Sequence, residues 1–139
     1  GYVEDTPLPM LYREAPLNGI WEGSANVICL DALRTLAKDP LAAEALAAAL
    51  DAARGLHPAY DAGLRTHRGR WPGPVAEAEA RWFVESAAQL LTASVLLRRA
   101  PAALAEGYAA SRLMPGRGRF YGAQSAGQGG DLLEMCFPE

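Results

Sequence analysis

Apolar and polar positions divide the chain into helix-length stretches punctuated by proline and glycine. Pro7, Pro9 and Pro16 exclude a long unbroken helix over residues 1–19 and leave a short helical turn at 11–15, then a loop at 16–19. A helical pattern follows, with Val27, Leu30 and Leu33 at one spacing and Ile28, Ala32 and Leu36 at another, ending near Lys38. Its apolar arc is wide and predicts a largely buried helix. Asp39-Pro40 sets an N-cap before a proline at the first helical position, so an alanine-rich helix is expected over residues 40–54, stopped by Gly55. Residues 55–74 hold Gly55, Pro58, Gly63, Gly69, Pro72, Gly73 and Pro74, which predict a linker or ordered loop with a turn at 58–65 at most.

From Val75 the periodicity is strong. Ala76, Ala80, Phe83, Ala87, Leu90, Ser94 and Leu97 alternate at four- and three-residue steps, predicting one long helix over 75–99. Glu77, Arg81 and Glu85 repeat every four residues on another face, a spacing suited to mutual ion pairs. Arg98 and Arg99 sit at its end, where the helix dipole favours cations. Pro101 opens a further helix to about residue 113, stopped by Pro115-Gly116. The glycine-rich stretch 116–130 predicts irregular structure, with Leu132, Leu133, Met135 and Phe137 as anchors for the tail. Neither strand periodicity nor an internal repeat occurs. The expected fold is an all-α helical bundle.

Composition narrows the class. The 139 residues are one domain at most by size, half of them apolar and 21% charged, as in ordinary globular chains. No run of 18 apolar residues is present, so no membrane-spanning segment is expected. Cys29 and Cys136 lie far apart without metal spacing and read as two reduced thiols in a cytoplasmic protein. The net charge of −3 argues against whole-surface attraction to nucleic acid. Its distribution is uneven. Residues 1–51 carry eight acids against Arg13, Arg34 and Lys38, whereas residues 98–119 carry five arginines against Glu106.

The chemistry concentrates at Trp21-Glu22-Gly23, just ahead of the first amphipathic helix. Two readings of Glu22 compete. An acid at a helix start is favoured by the positive N-terminal amides and needs no further role. Alternatively, Gly23 removes a side chain so that a flat ligand can approach. Trp21 then offers an apolar wall that desolvates the carboxylate and raises its pKa towards that of a working base.

The longer stretch GYVEDTPLPMLYREAPLNGIWEGSANVICLD decides between them by resemblance. A Gly-Tyr pair, an acidic-proline run, an Arg-Glu pair and Trp-Glu-Gly-Ser resemble the motif near the C-terminal end of flavin-dependent acyl-CoA dehydrogenases. The wording LYREAPLN and IWEGS is most similar to the adaptive-response, AidB-like branch. The resemblance is specific over about the first 36 residues and compositional beyond them. It implies a C-terminal piece of a longer chain, with residues 1–38 forming the motif and active-site helix and 39–139 forming AidB-like C-terminal helices. The chain opens on Gly1 inside the motif, in keeping with a fragment.

The resemblance also implies the activity: α,β-dehydrogenation of an acyl-CoA thioester with FAD as cofactor, in a homo-oligomer, a tetramer, of the intact protein. Glu22 would be the base that removes the α-proton, and its backbone N–H would help polarise the thioester carbonyl. Trp21, Gly23, Ser24 and Asn26 fall where the family contacts the flavin or the acyl chain. Ser24 keeps the hydroxyl of the family's Thr, and Asn26 has a shorter reach than the frequent Gln. Their other reading is a helix cap and a solvated amide. Arg13-Glu14 matches the family's Arg-Asp pair and reads as a loop-ordering ion pair. Met10 departs from the basic residue often found there.

Other signals are weaker. His57 and His67 lie in the glycine- and proline-rich stretch with no carboxylate or thiol at ligand spacing, so no metal is expected. Ser86, Ser94 and Ser111 have no histidine in a local frame and no nucleophile elbow. Neither Gly116-Arg-Gly118 nor Gly127-Gln-Gly129-Gly130 has the context of a phosphate loop. Arg54, Arg65, Arg68 and Arg70, together with the cluster from Arg98 to Arg119, give an alternative from another class: an AidB-like DNA-binding or protective helical module, gripping phosphates through arginine forks. Against it stands the reading of solvated arginines paired with nearby acids.

Overall fold

A computed structural model of the protein describes residues 3–21 and 23–114. Among these the fold is all-α, without strands. The helices are α1 (Leu8–Glu14), α2 (Ala25–Lys38), α3 (Pro40–Asp51), α4 (Pro58–Arg70), α5 (Ala80–Arg99) and α6 (Ala102–Arg112), with 3-10 segments at Ala15–Gly19 and Glu77–Glu79. The expected irregular stretch 116–130 and the tail anchors lie outside the described residues.

Helix α5 is the central element: α2, α3, α4 and α6 all pack against it. Leu50, Ala53, Tyr60, Leu64, Leu90 and Ala93 form the buried core, flanked by Leu46, Leu97, Tyr108 and Leu113. Two buried hydroxyls lock it. Tyr60 donates to the carbonyl of Leu50 at 2.6 Å and Ser94 to that of Ala49 at 2.7 Å. Both carbonyls lie in the last turn of α3, where intrahelical partners run out. Burial and hydrogen bonding therefore serve the same contact.

The Asp39-Pro40 start of α3 is as the sequence predicts, with the Asp39 carboxylate accepting from the Leu41 amide at 2.9 Å. The stretch 55–74 is not a loop. Most of it is α4, capped by the ring of His57, whose Nδ1 accepts from the Ala59 amide at 3.1 Å. Pro58 stands in the first helical turn, where proline loses nothing. Gly55, at φ +79°, supplies the left-handed turn, and its amide donates to Asp61 at 3.0 Å.

The long helix begins at Ala80 rather than Val75, after the 3-10 turn. Glu77 is thus off the helix, and Arg81 donates to Asn26 at 3.0 Å. Helix α2 also departs from expectation. Only Cys29 is buried on it, whereas Val27 and Ile28 are exposed. Its apolar arc is wider than the surface that α3 and α5 cover. Helix α1 packs on the following 3-10 segment and buries only Pro9.

Candidate functional site

The motif leads along the chain into the start of α2. Two backbone bonds fold the chain here, with the amides of Ile20 and Trp21 donating to the Leu17 carbonyl at 3.0 and 2.8 Å. Trp21 is 65% exposed, so in this chain its ring covers little. Glu22 lies outside the described residues. Gly23 has φ +111°, a conformation that a side chain at that position would strain. Among the described residues, its chain neighbours aside, the nearest atom to a hypothetical Cβ is Val27 Cγ1 at 4.0 Å. A flat group can come close here at little steric cost.

Ser24 is the N-cap of α2 by backbone conformation, but its side chain makes no capping hydrogen bond. Among the described residues no side chain caps the first-turn amides of Ala25, Asn26 and Val27. Such an end suits a phosphate. Asn26 is exposed and not simply solvated, because its Oδ1 accepts from Arg81. That bond leaves the amide N–H₂ to donate and orients it by tying α2 to α5. The donor set at this end fits the phosphate portion of a dinucleotide cofactor.

Arg13 does not pair with Glu14. Its guanidinium meets Glu4 at 2.9 Å. Both residues of the Arg-Glu pair lie on α1, and adjacent helical residues do not face one another. The bridge still orders the segment, by a different acid.

A second cluster was hidden from sequence reading. His67, on α4, is buried with 7% exposure, and its Nδ1 lies 2.9 Å from Ser86 Oγ on α5. Its ring centroid is 5.1 Å from both Trp71 and Phe83. The frame linking His67 and Ser86 is tertiary, across two helices. Tyr60, Leu64 and His67 follow four- and three-residue steps, the signal that would have put this histidine on an inward helix face. Glu79 braces the cluster, accepting from Arg70 Nη2 at 2.7 Å and from Trp71 Nε1 at 2.6 Å. The Arg70 bond, then that of Trp71, holds the Glu79 carboxyl below its ordinary range. Although serine and histidine meet, both lie inside helices whose backbone amides are already bonded, so neither α4 nor α5 offers them a backbone oxyanion site.

Burial, reinforced by the nearby Arg68 charge, lowers the His67 pKa from its ordinary value of 6.5. The neutral ring is therefore the native form. As pH falls, the unfolded chain takes up this proton first, so the stabilisation is complete above pH 6.5 and is lost as pH falls through the lower folded pKa. Urea midpoints of this chain should drop as pH falls below 6.5, and His67→Phe should flatten that slope. An unchanged slope in the variant would contradict a neutral buried His67.

The arginines of α4 and its approach are largely engaged. Arg68 grips Asp51 through two bonds, at 2.8 and 3.0 Å, and Arg54 meets the same carboxylate at 3.4 Å. The Arg68 bond holds the Asp51 carboxyl below its usual range. Arg70 is held by Glu79. These pairings favour the solvated, acid-paired reading over a phosphate-gripping surface. Arg117 and Arg119 lie outside the described residues. Among the described residues no cluster of three or more His, Cys, Asp or Glu is placed to hold a metal, and no helix is long and apolar enough to cross a membrane.

Two known proteins resemble this chain. AidB of Escherichia coli (strain K12), whose name assigns it provisionally to the acyl-CoA dehydrogenases, is 40% identical over 77 residues, which are 55% of this chain and 14% of that protein. Acyl-CoA dehydrogenase family member 11 of Caenorhabditis elegans is 59% identical over 34 residues, 24% of this chain and 6% of that protein. The chain thus spans a small part of the length of the relatives it matches. No protein-family model matches it, and no solved structure does so. The resemblance to acyl-CoA dehydrogenases, AidB-like ones among them, rests on these two relatives.

Proposed function

We infer that this chain, similar in sequence to AidB-like acyl-CoA dehydrogenases, is the part of such an enzyme that carries the proton-abstracting base and one edge of the flavin site. The observation that carries the reading is the likeness to AidB over 77 residues, joined to a motif whose Gly23 stands at φ +111° ahead of a helix start without a side-chain capping bond. On this reading residues 1–38 form the motif and active-site helix, and residues 39–139 the helical remainder. The intact protein acts on an acyl-CoA thioester as a cytoplasmic homo-oligomer.

FAD, when bound, supplies the acceptor for the β-hydride. Ser24 Oγ, the Asn26 amide and the first-turn amides of α2 would hold its phosphate portion. Gly23 leaves room for close approach, and Arg81 fixes Asn26 in place. Glu22 removes the α-proton, and its backbone N–H draws charge from the thioester carbonyl as the proton leaves. Trp21 desolvates that carboxylate once a second surface closes over it. The exposed apolar side chains of Val3, Tyr12, Ile20, Trp21 and Val27 suit contact with the remainder of the enzyme.

The test is anaerobic mixing of the full-length flavoprotein with acyl-CoA thioesters of several chain lengths. Bleaching of the flavin supports the reading, and an unchanged spectrum with every thioester rejects it. A second expectation concerns the chain alone. Ser24, Asn26 and a few amides offer too few contacts to offset the cost of immobilising a large cofactor. The 139-residue chain passed over a sizing column with FAD should emerge colourless. A stoichiometric yellow complex would show that the chain holds a whole site rather than an edge.

A further inference from the structure

We propose that the trough between α2, α3, the end of α4 and the start of α5 is a second ligand site, which takes an uncharged aliphatic molecule. It encloses about 540 Å³, within the range of small-molecule sites. Alanine keeps it open. Ala37 on α2, with Ala43 and Ala47 on α3, lines it where a larger side chain would take up the space, and Leu33, Leu36 and Leu46 give the same helix faces an alkyl surface. Steps of three and four residues put these positions on one face of each helix. From Ala43 to Leu50 that face runs about 10 Å along α3, a length suited to an extended alkyl chain.

Burial is graded across the trough. Leu50, His67 and Phe83 are buried and form its floor, whereas Ala37, Ala47, Gly73 and Pro74 are exposed and mark its mouth. An alkyl body can be covered here while a polar end stays in water. Charge then selects the class of ligand. Among the described residues on the lining, Arg68 alone is charged, and both of its terminal nitrogens are committed to Asp51. Burial keeps His67 neutral, and its Nδ1 is turned to Ser86, which is not part of the lining. An ionised head drawn inside would have to compete with Asp51 for Arg68 or give up its hydration without return. An uncharged chain meets no such cost and gains by leaving water. The trough is also separate from the proposed cofactor edge, since Leu33 stands about 14 Å along α2 from Ser24.

Calorimetric titration of the full-length protein with 1-octanol tests this, with octanoate at neutral pH as a second arm. Saturable octanol binding is expected, unaffected by an acyl-CoA thioester, and octanoate should bind at least roughly tenfold more weakly. Ala47→Leu fills the trough at its mouth and Ala43→Leu fills it further in. Each should weaken octanol binding roughly 10- to 200-fold. Leucine is nearly as good a helix former as alanine, so helix signal and flavin content should match the parent protein. Absence of octanol binding would overturn the site, as would equal affinity in the parent and both filled variants. Octanoate binding as tightly as octanol would overturn the selection by charge. Displacement of octanol by the acyl-CoA thioester would also overturn the proposal, by placing the alcohol in the substrate site.

Discussion

Exchange of Glu22 for Gln in the full-length protein is expected to slow flavin reduction by an acyl-CoA thioester by roughly a hundred- to ten-thousand-fold. Flavin content should stay close to that of the parent protein. The amide matches the carboxylate in shape and hydrogen-bonding length but cannot accept a proton at neutral pH. The groups proposed to hold the cofactor phosphate, namely the Ser24 hydroxyl and the first-turn amides of α2, are untouched by the change. Loss should therefore appear in the chemical step, with kcat and kcat/KM falling together. Glu22→Asp offers a second reading. It keeps the charge and withdraws it by one methylene, so it should recover part of the rate if position matters as well as basicity. A Gln variant that bleaches as fast as the parent protein would remove Glu22 from the mechanism.

The difference between what sequence patterns gave and what they hid has a physical basis. The Asp39-Pro40 junction, the heart of α5 and the extent of α6 depend on local rules of capping, periodicity and proline placement, and those rules hold here. Helix α4 was hidden because its breakers are not breaking anything. Pro58 occupies the first turn, where no amide bond is lost, and Gly63 is in the helix at a close approach to Leu90. Its cap is an imidazole nitrogen, outside the usual hydroxyl and carboxylate set. The exposed arc of α2 reflects the opposite effect, because periodicity predicts which face is apolar but not what covers it.

The candidate site divides in the same way. The motif around Glu22 is contiguous in sequence, so a resemblance could find it without any fold. The orientation of Asn26 is set by Arg81, far along the chain, and the His67–Ser86 contact joins neighbouring helices. Pairings of that kind follow from packing and carry no local signature. Arg13 illustrates the cost of reading by adjacency alone. Its neighbour Glu14 was the obvious partner, yet a helix turns consecutive side chains apart and Glu4 takes the bridge.

Leu90→Ala should produce the largest loss of stability, about 2–5 kcal/mol, because it empties the centre of the core. Leu90 is 1% exposed and packs with Leu50, Tyr60, Leu64 and Ala93, where α5 meets α3 and α4. Against a total of about 5–15 kcal/mol for an ordinary domain, such a loss is a large fraction of the whole. Gly63 makes the assignment testable by rescue. A Cβ on Gly63 would stand 3.3 Å from Leu90 Cδ2, so Gly63→Ala forces Leu90 to shift by a few tenths of an ångström. That strain opposes the gain of about 1 kcal/mol from replacing a mid-helix glycine by alanine. With Leu90 cut back to Ala the contact disappears, and the new methyl also fills part of the vacated space. Gly63→Ala should therefore raise the urea midpoint clearly in the Leu90→Ala background and little, or not at all, in the parent chain. Additive effects of the two substitutions would show that these side chains do not meet as the packing of α4 on α5 requires.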